Sequence, residues 1–167
     1  MVVTAFVAAA CGSSSKSSSA STSAASTSTT SAAPTAAALL TTKSLSGLGT
    51  VLVNGQGRTL YIFVPDKHSK VTCTGGCAAA WPPVMLTGAK AQTAGEVKAA
   101  LVSSDPDPAG GRVVTYNGWP LYLYAGDSQA GTANGQALDS SGGLWYVITP
   151  AGKVVTTKKT SSGGSTY

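Results

Sequence analysis

The chain contains one unit twice. GTVLVNGQGRTLYIFVPD (49–66) leads through a loop to AAAWPPV (78–84), and GRVVTYNGWPLYLYAGD (111–127) leads through a longer loop to GGLWYVITPAG (142–152). Each copy holds an alternating strand, an Asn-Gly turn, a second strand closing on Asp, and a Trp in a third extended piece. The aspartates, Asp66 and Asp127, lie 61 residues apart. This predicts an all-β domain over 45–155, built from two hairpin-plus-strand repeats at about 49–88 and 111–152. Packed about a pseudo-two-fold, they would make a small sandwich or partly closed barrel. Trp81, Trp119, Trp145 and the repeat tyrosines are the expected core.

Asn54-Gly55 and Asn117-Gly118 are strong hairpin signals, because tight turns need positive φ. Within LYIFVPD (60–66), Tyr61 and Phe63 share one strand face while Leu60, Ile62 and Val64 share the other; Tyr122 and Tyr124 oppose Leu121 and Leu123 likewise. A strand apolar on both faces is central and covered twice. The aliphatic face should pack on the twin repeat, and the aromatic pair should lie under a loop or at a groove. Tyr61 and Asp66 are an odd number of residues apart, on opposite faces and about 16 Å from each other if extended. Asp66 and Asp127 are therefore expected to end their strands and accept backbone N–H groups of the next loop. Contact with a metal or ligand is the other reading.

The ends differ in character. MVVTAFVAAAC begins apolar and reaches three alanines before Cys11. The apolar run is too short to span a bilayer and suits a signal peptide over 1–10, with a start codon expected upstream. The Ala-Ala-Ala-Cys junction resembles the lipobox of bacterial lipoproteins, which implies diacylation of Cys11. Ala8 replaces the usual Leu, and no Lys or Arg precedes the apolar run. A secretory signal with a free cysteine is the alternative. From 12 to 44 nearly every residue is Ser, Thr or Ala, a disordered linker by composition and, as such stalks can be, a substrate for O-glycosylation. As a coil it spans about 30 Å root-mean-square. Residues 156–167 read as a disordered tail.

The formal net charge of +5 does not survive localisation. Lys16, Lys43, Lys158 and Lys159 lie in the ends, and between 45 and 155 seven basic residues face six acidic ones. No basic stripe tracks a phosphate backbone, so nucleic acid is not an expected partner.

Chemistry is sparse. With Cys11 assigned to lipid, Cys73 and Cys77 remain for each other as a disulfide in an oxidising compartment. A copper or zinc pair or a redox-active dithiol is the alternative. Asp66, His68, Cys73 and Cys77 could be drawn as a metal set, but the second repeat has no His or Cys and the bland reading is an exposed loop histidine. Residues 127–139 offer scattered oxygens without the bidentate Glu of a calcium loop. No Gly-x-Ser-x-Gly elbow is present. Asp66 and Asp127 could pair as glycosidases require, yet nothing else marks a sugar cleft. The expectation is no enzyme and no cofactor.

Tyr61-x-Phe63-x-x-Asp66 and Tyr122-x-Tyr124-x-x-Asp127 resemble a family of predicted bacterial, actinobacterial-type lipoproteins with a Tyr-x-aromatic-x-x-Asp motif, a secreted repeat of unknown function. Cys73-Thr-Gly-Gly-Cys77, Trp81-Pro82-Pro83, Tyr116-Asn117-Gly118, Pro120-Leu121-Tyr122 and Gly142-Gly143-Leu144-Trp145 extend the resemblance over about 49–152. It implies an envelope location and brings no activity. The expected function is a monomeric, membrane-tethered extracytoplasmic module that binds an unknown ligand or partner or serves the envelope. A metal-binding or electron-transfer accessory protein is the second reading.

Overall fold

The structure is a computed structural model that describes residues 39–66 and 70–158. The expected signal peptide, Cys11, the expected linker as far as residue 38, His68 and the C-terminal residues from 159 lie outside the described residues. Among the described residues no helix is long and apolar enough to cross a membrane.

The fold begins earlier than its composition suggests. Leu39–Leu45 forms β1 and pairs antiparallel with β2, Gly49–Asn54. The boundary expected at 45 is thus six residues late. LLTTKSL reads as more Ser/Thr linker, but threonine is β-branched and suits a strand edge, and Leu40 and Leu45 are buried while Lys43 and Ser44 are exposed. The second repeat has the same addition. β5 (Val102–Pro106) pairs antiparallel with β6 (Arg112–Tyr116) in a counterpart hairpin that the reading from 111 misses.

The two Asn-Gly pairs behave differently. Asn117 (φ 49°) and Gly118 (φ 79°) form the expected tight turn between β6 and β7, Trp119–Pro120. Asn54 instead opens a longer turn. Its Oδ1 accepts the N–H groups of Gln56 and Arg58 at 3.0 and 2.9 Å, and Gly57 supplies the positive φ. An Asn that can satisfy two downstream amides stabilises the wider loop over the two-residue one.

Among the described residues nine strands make three small three-stranded sheets, with no closed barrel and one short α-helix, α1, Gly76–Ala80. The first sheet is β2-β1-β4, where β4 is Gln92–Thr93. The second is β3-β9-β8, made of Tyr61–Phe63, Gly143–Val147 and Leu138–Ser140, and the third is β5-β6-β7. LYIFVPD is strand for three residues and then turns as a 3-10 segment, Val64–Asp66. Pro65, without an N–H to give a ladder, fits this early stop.

The motif strands pair with the opposite repeat. β3 runs antiparallel to β9, with Tyr61 opposite Val147 and Phe63 opposite Trp145. Reciprocally, Tyr122 bridges Pro83, and Val84 and Leu123 donate their N–H groups to Leu121 and Pro82, each at 2.9 Å. Tyr61 and Tyr122 exchange two backbone hydrogen bonds of 2.9 Å. This reciprocity is the local two-fold between the repeats.

Both faces of the motif strands are covered. Leu60, Ile62 and Leu121 join Leu40, Leu52, Val114 and Ile148 in an aliphatic cluster drawn from both repeats. Tyr61, Phe63, Tyr122, Trp81 and Trp145 form the second cluster. The aromatic faces therefore do not sit at a groove; they too meet their twins. Trp119 is only half-buried and packs on the rim of the aliphatic cluster.

A cross-repeat tyrosine–aspartate clasp

β3 and the bridge at Tyr122 aim the two motif phenols at the opposite repeat's aspartates. Tyr61 Oη donates to Asp127 Oδ2 at 2.6 Å, and Tyr122 Oη donates to Asp66 Oδ2 at 2.5 Å. The partners are 66 and 56 residues apart in sequence. The odd offset within one repeat kept Tyr61 from Asp66, but strand geometry cannot say which carboxylate stands opposite.

The remaining oxygen of each carboxylate holds its own loop. Asp66 Oδ1 accepts Thr72 N at 2.8 Å and Thr72 Oγ1 at 2.5 Å, and Asp127 Oδ1 accepts Asn134 N at 2.8 Å. The amides are six and seven residues downstream, beyond the reach of a simple Asx turn. All four motif residues are buried, with exposures of 0–1 %. Burial pushes the Asp66 carboxyl above its ordinary range, against the bonds from Thr72 and Tyr122 that favour the anion. Burial is also the main reason that both phenols are pushed well above ordinary tyrosine, with the adjacent carboxylate acting in the same direction.

The third motif residues build a column of rings. Phe63 stacks on Trp145 with ring centroids at 4.2 Å, Trp145 on Trp81 at 3.8 Å with planes 1° apart, and Trp81 on Tyr124 at 4.2 Å. Tyr61 meets Trp81 edge-on at 5.5 Å, and Tyr122 meets Trp145 edge-on at 5.2 Å. Each repeat thus contributes the same ring to the same place. Gly135 lets the second loop approach, since a Cβ there would lie 2.7 Å from Trp81 Cη2 and 3.0 Å from Tyr61 Cε1.

Cys73 and Cys77 are joined as a disulfide with Cα atoms 5.2 Å apart. It ties the loop after Asp66 to α1, whose Cys77 carbonyl accepts Trp81 N at 2.8 Å. With both sulfurs bonded to each other, the metal set drawn from Asp66, His68, Cys73 and Cys77 loses its thiolates. Among the described residues no three His, Cys, Asp or Glu side chains gather as metal ligands. Asp139, in β8, is exposed while Asp127 is buried, so the residues of the calcium-like loop do not converge.

Thr72, Asn134 and Gln136 complete the arrangement and escaped the sequence reading. The only signal for the first two is a polar residue six or seven positions after each aspartate. Gln136 had none. Its Oε1 accepts Val147 N at 2.8 Å and its Nε2 donates to Val155 O and Thr157 O at 2.6 and 2.7 Å.

Two small β repeats closed by reciprocal bonds define the class. The chain belongs to a family described as a secreted repeat of unknown function, whose model matches 45–85 and 105–149, just over half of the sequence. Its location is accordingly extracellular at that level of description. No match was found among curated proteins or solved structures.

Proposed function

We propose that this protein is a membrane-tethered, non-enzymatic module of the cell envelope, held by a lipid on Cys11 and meeting its ligand or partner through its outer surface. The observation that carries this reading is the clasp itself. Tyr61, Asp66, Tyr122 and Asp127 are buried and bonded to one another and to loop amides. Such groups are not free to take a substrate, and their removal would be felt first in folding. The disulfide supports this reading over a metal carrier, because thiolates are what the Cys73–Cys77 loop would have to offer. The linker would then serve as a spacer between bilayer and domain, and a single β domain with its own core suits a monomer.

Detergent phase partitioning of cells expressing the full precursor tests the tether. Wild type should enter the detergent phase and Cys11→Ala the aqueous phase, since two acyl chains anchor stably and none remain in the variant. A Cys11→Ala protein that still follows the membrane would end the lipid-anchor reading.

A further inference from the structure

The ring column invites a question that folding alone does not answer. Neutral aromatic rings prefer offset or edge-on contact, because their negative faces repel in a direct sandwich. Trp81 and Trp145 lie 1° from parallel with centroids 3.8 Å apart, and their outer faces are covered by Tyr124 and Phe63. Four stacked faces are good company for a positive charge, which aromatic faces attract. Removing one electron from the tryptophan pair leaves a cation between aromatic faces that attract it. Trp81 Nε1 has no hydrogen-bond partner among the described residues, and Trp145 Nε1 meets only the weakly basic carbonyl of Ser140 at 3.0 Å. An electron vacancy on this pair has no good base for its N–H proton.

The adjacent phenols do have one. Tyr61 and Tyr122 touch Trp81 and Trp145 edge-on, and each donates its O–H to a buried carboxylate. A phenol that loses an electron becomes a strong acid, and here the proton acceptor is already in hydrogen-bond contact. Tyr124 is the half-buried end of the column and Phe63 the buried one, so Tyr124 is the entry.

We propose that the column and its two tyrosine–aspartate pairs form a one-electron relay that accepts oxidation from an extracellular oxygen-centred radical or high-valent metal oxidant. The vacancy enters at Tyr124, passes to the Trp81–Trp145 pair and comes to rest on Tyr61 or Tyr122. In the resting step the oxidant gains one electron, the Tyr61 O–H bond breaks, and its proton moves to Asp127 Oδ2. The products are the reduced oxidant, a neutral tyrosyl radical and a neutral Asp127 carboxylic acid. Tyr122 and Asp66 perform the same step. A one-electron donor of the hydroquinone class restores the phenol: it gives one electron to the tyrosyl radical, the Asp127 carboxyl proton returns to the phenolic oxygen, and the donor leaves as a semiquinone with its own proton released to solvent.

Flash photolysis of the folded protein with a photogenerated ruthenium(III) polypyridyl tests this, read by transient absorption and freeze-quench electron paramagnetic resonance. Wild type should give a tyrosyl radical, and Tyr61→Phe/Tyr122→Phe should leave an indole radical in its place. Asp66→Asn/Asp127→Asn keeps the hydrogen-bond acceptors but removes the bases, and should slow tyrosyl formation by about tenfold or more. If the aspartate variant does not fold, deuterated solvent must slow tyrosyl formation in wild type. An unchanged tyrosyl yield in the double phenylalanine variant would assign oxidation to surface tyrosines and overturn the relay. An unchanged rate without the carboxylates, or in deuterated solvent, would overturn its proton step.

Discussion

Tyr61→Phe removes one oxygen atom and one reciprocal bond. Asp127 keeps Asn134 N on Oδ1, but its Oδ2 is left buried without the phenol that approached to 2.6 Å. A hydrogen bond to a charged group contributes about 1.5–3 kcal/mol, and the stranded acceptor takes the cost to the upper part of that range. For a domain of this size each 1 kcal/mol shifts the melting midpoint by about 4 °C, so a fall of about 9–12 °C is expected. The decisive measurement is a pair of double-mutant cycles by urea unfolding. Tyr61→Phe with Asp127→Ala should show a coupling energy of about 1.5–3 kcal/mol, whereas Tyr61→Phe with Asp66→Ala should be additive within about 0.5 kcal/mol. Stronger coupling of Tyr61 to Asp66 would put both residues of a motif together and refute the crossed arrangement. Additivity in both cycles would refute the clasp.

Alkali should loosen the domain through its phenols. Their folded values are raised above the ordinary 10.0, so the stability they carry is complete below that pH and is lost as pH rises past it. The loss should reach about 1.36 kcal/mol per pH unit for each phenol, and Tyr61→Phe/Tyr122→Phe should flatten it in urea midpoints taken across that range. Asp66, also raised, favours the fold most below 3.8 and less as pH climbs through the carboxylate range, so Asp66→Asn should cost more stability in acid than at neutral pH, read from urea midpoints. Gly135→Ala should destabilise by about 1–3 kcal/mol, because the added methyl meets packed rings; a melt equal to wild type would mean that the loop can move away. Intact mass of oxidised protein should lack two protons relative to the dithiol, and Cys73→Ala/Cys77→Ala should lower stability by less than about 3 kcal/mol, since the closed loop is short.

The repeats, the Asn117-Gly118 turn and the Cys73–Cys77 pairing were legible because each rests on residues near one another in sequence. β1 was hidden by its threonines and serine, which share a composition with the linker although two buried leucines, Leu40 and Leu45, bracket them. Asn54-Gly55 misled because a dipeptide does not reveal whether the Asn side chain will accept two amides of a longer loop. The clasp was illegible for a deeper reason. Period-two alternation assigns Tyr61 a face, but two equivalent aspartates answer the description of its partner, and only the pairing of β3 with β9 selects Asp127.

The crossed pairing also fixes when this protein can fold. The cross-repeat bonds of the first motif wait for something made much later: Tyr61 for Asp127, Phe63 and Trp81 for Trp145, β3 for β9. Contacts that span such distances form slowly, because a long loop must close before they contribute. A chain emerging from its N-terminus therefore has no stable half to collapse into until about residue 147 is out. For a secreted protein this delay is useful. Export machinery that threads an extended chain meets no prematurely folded repeat, and the lock closes only when the last strand arrives on the far side.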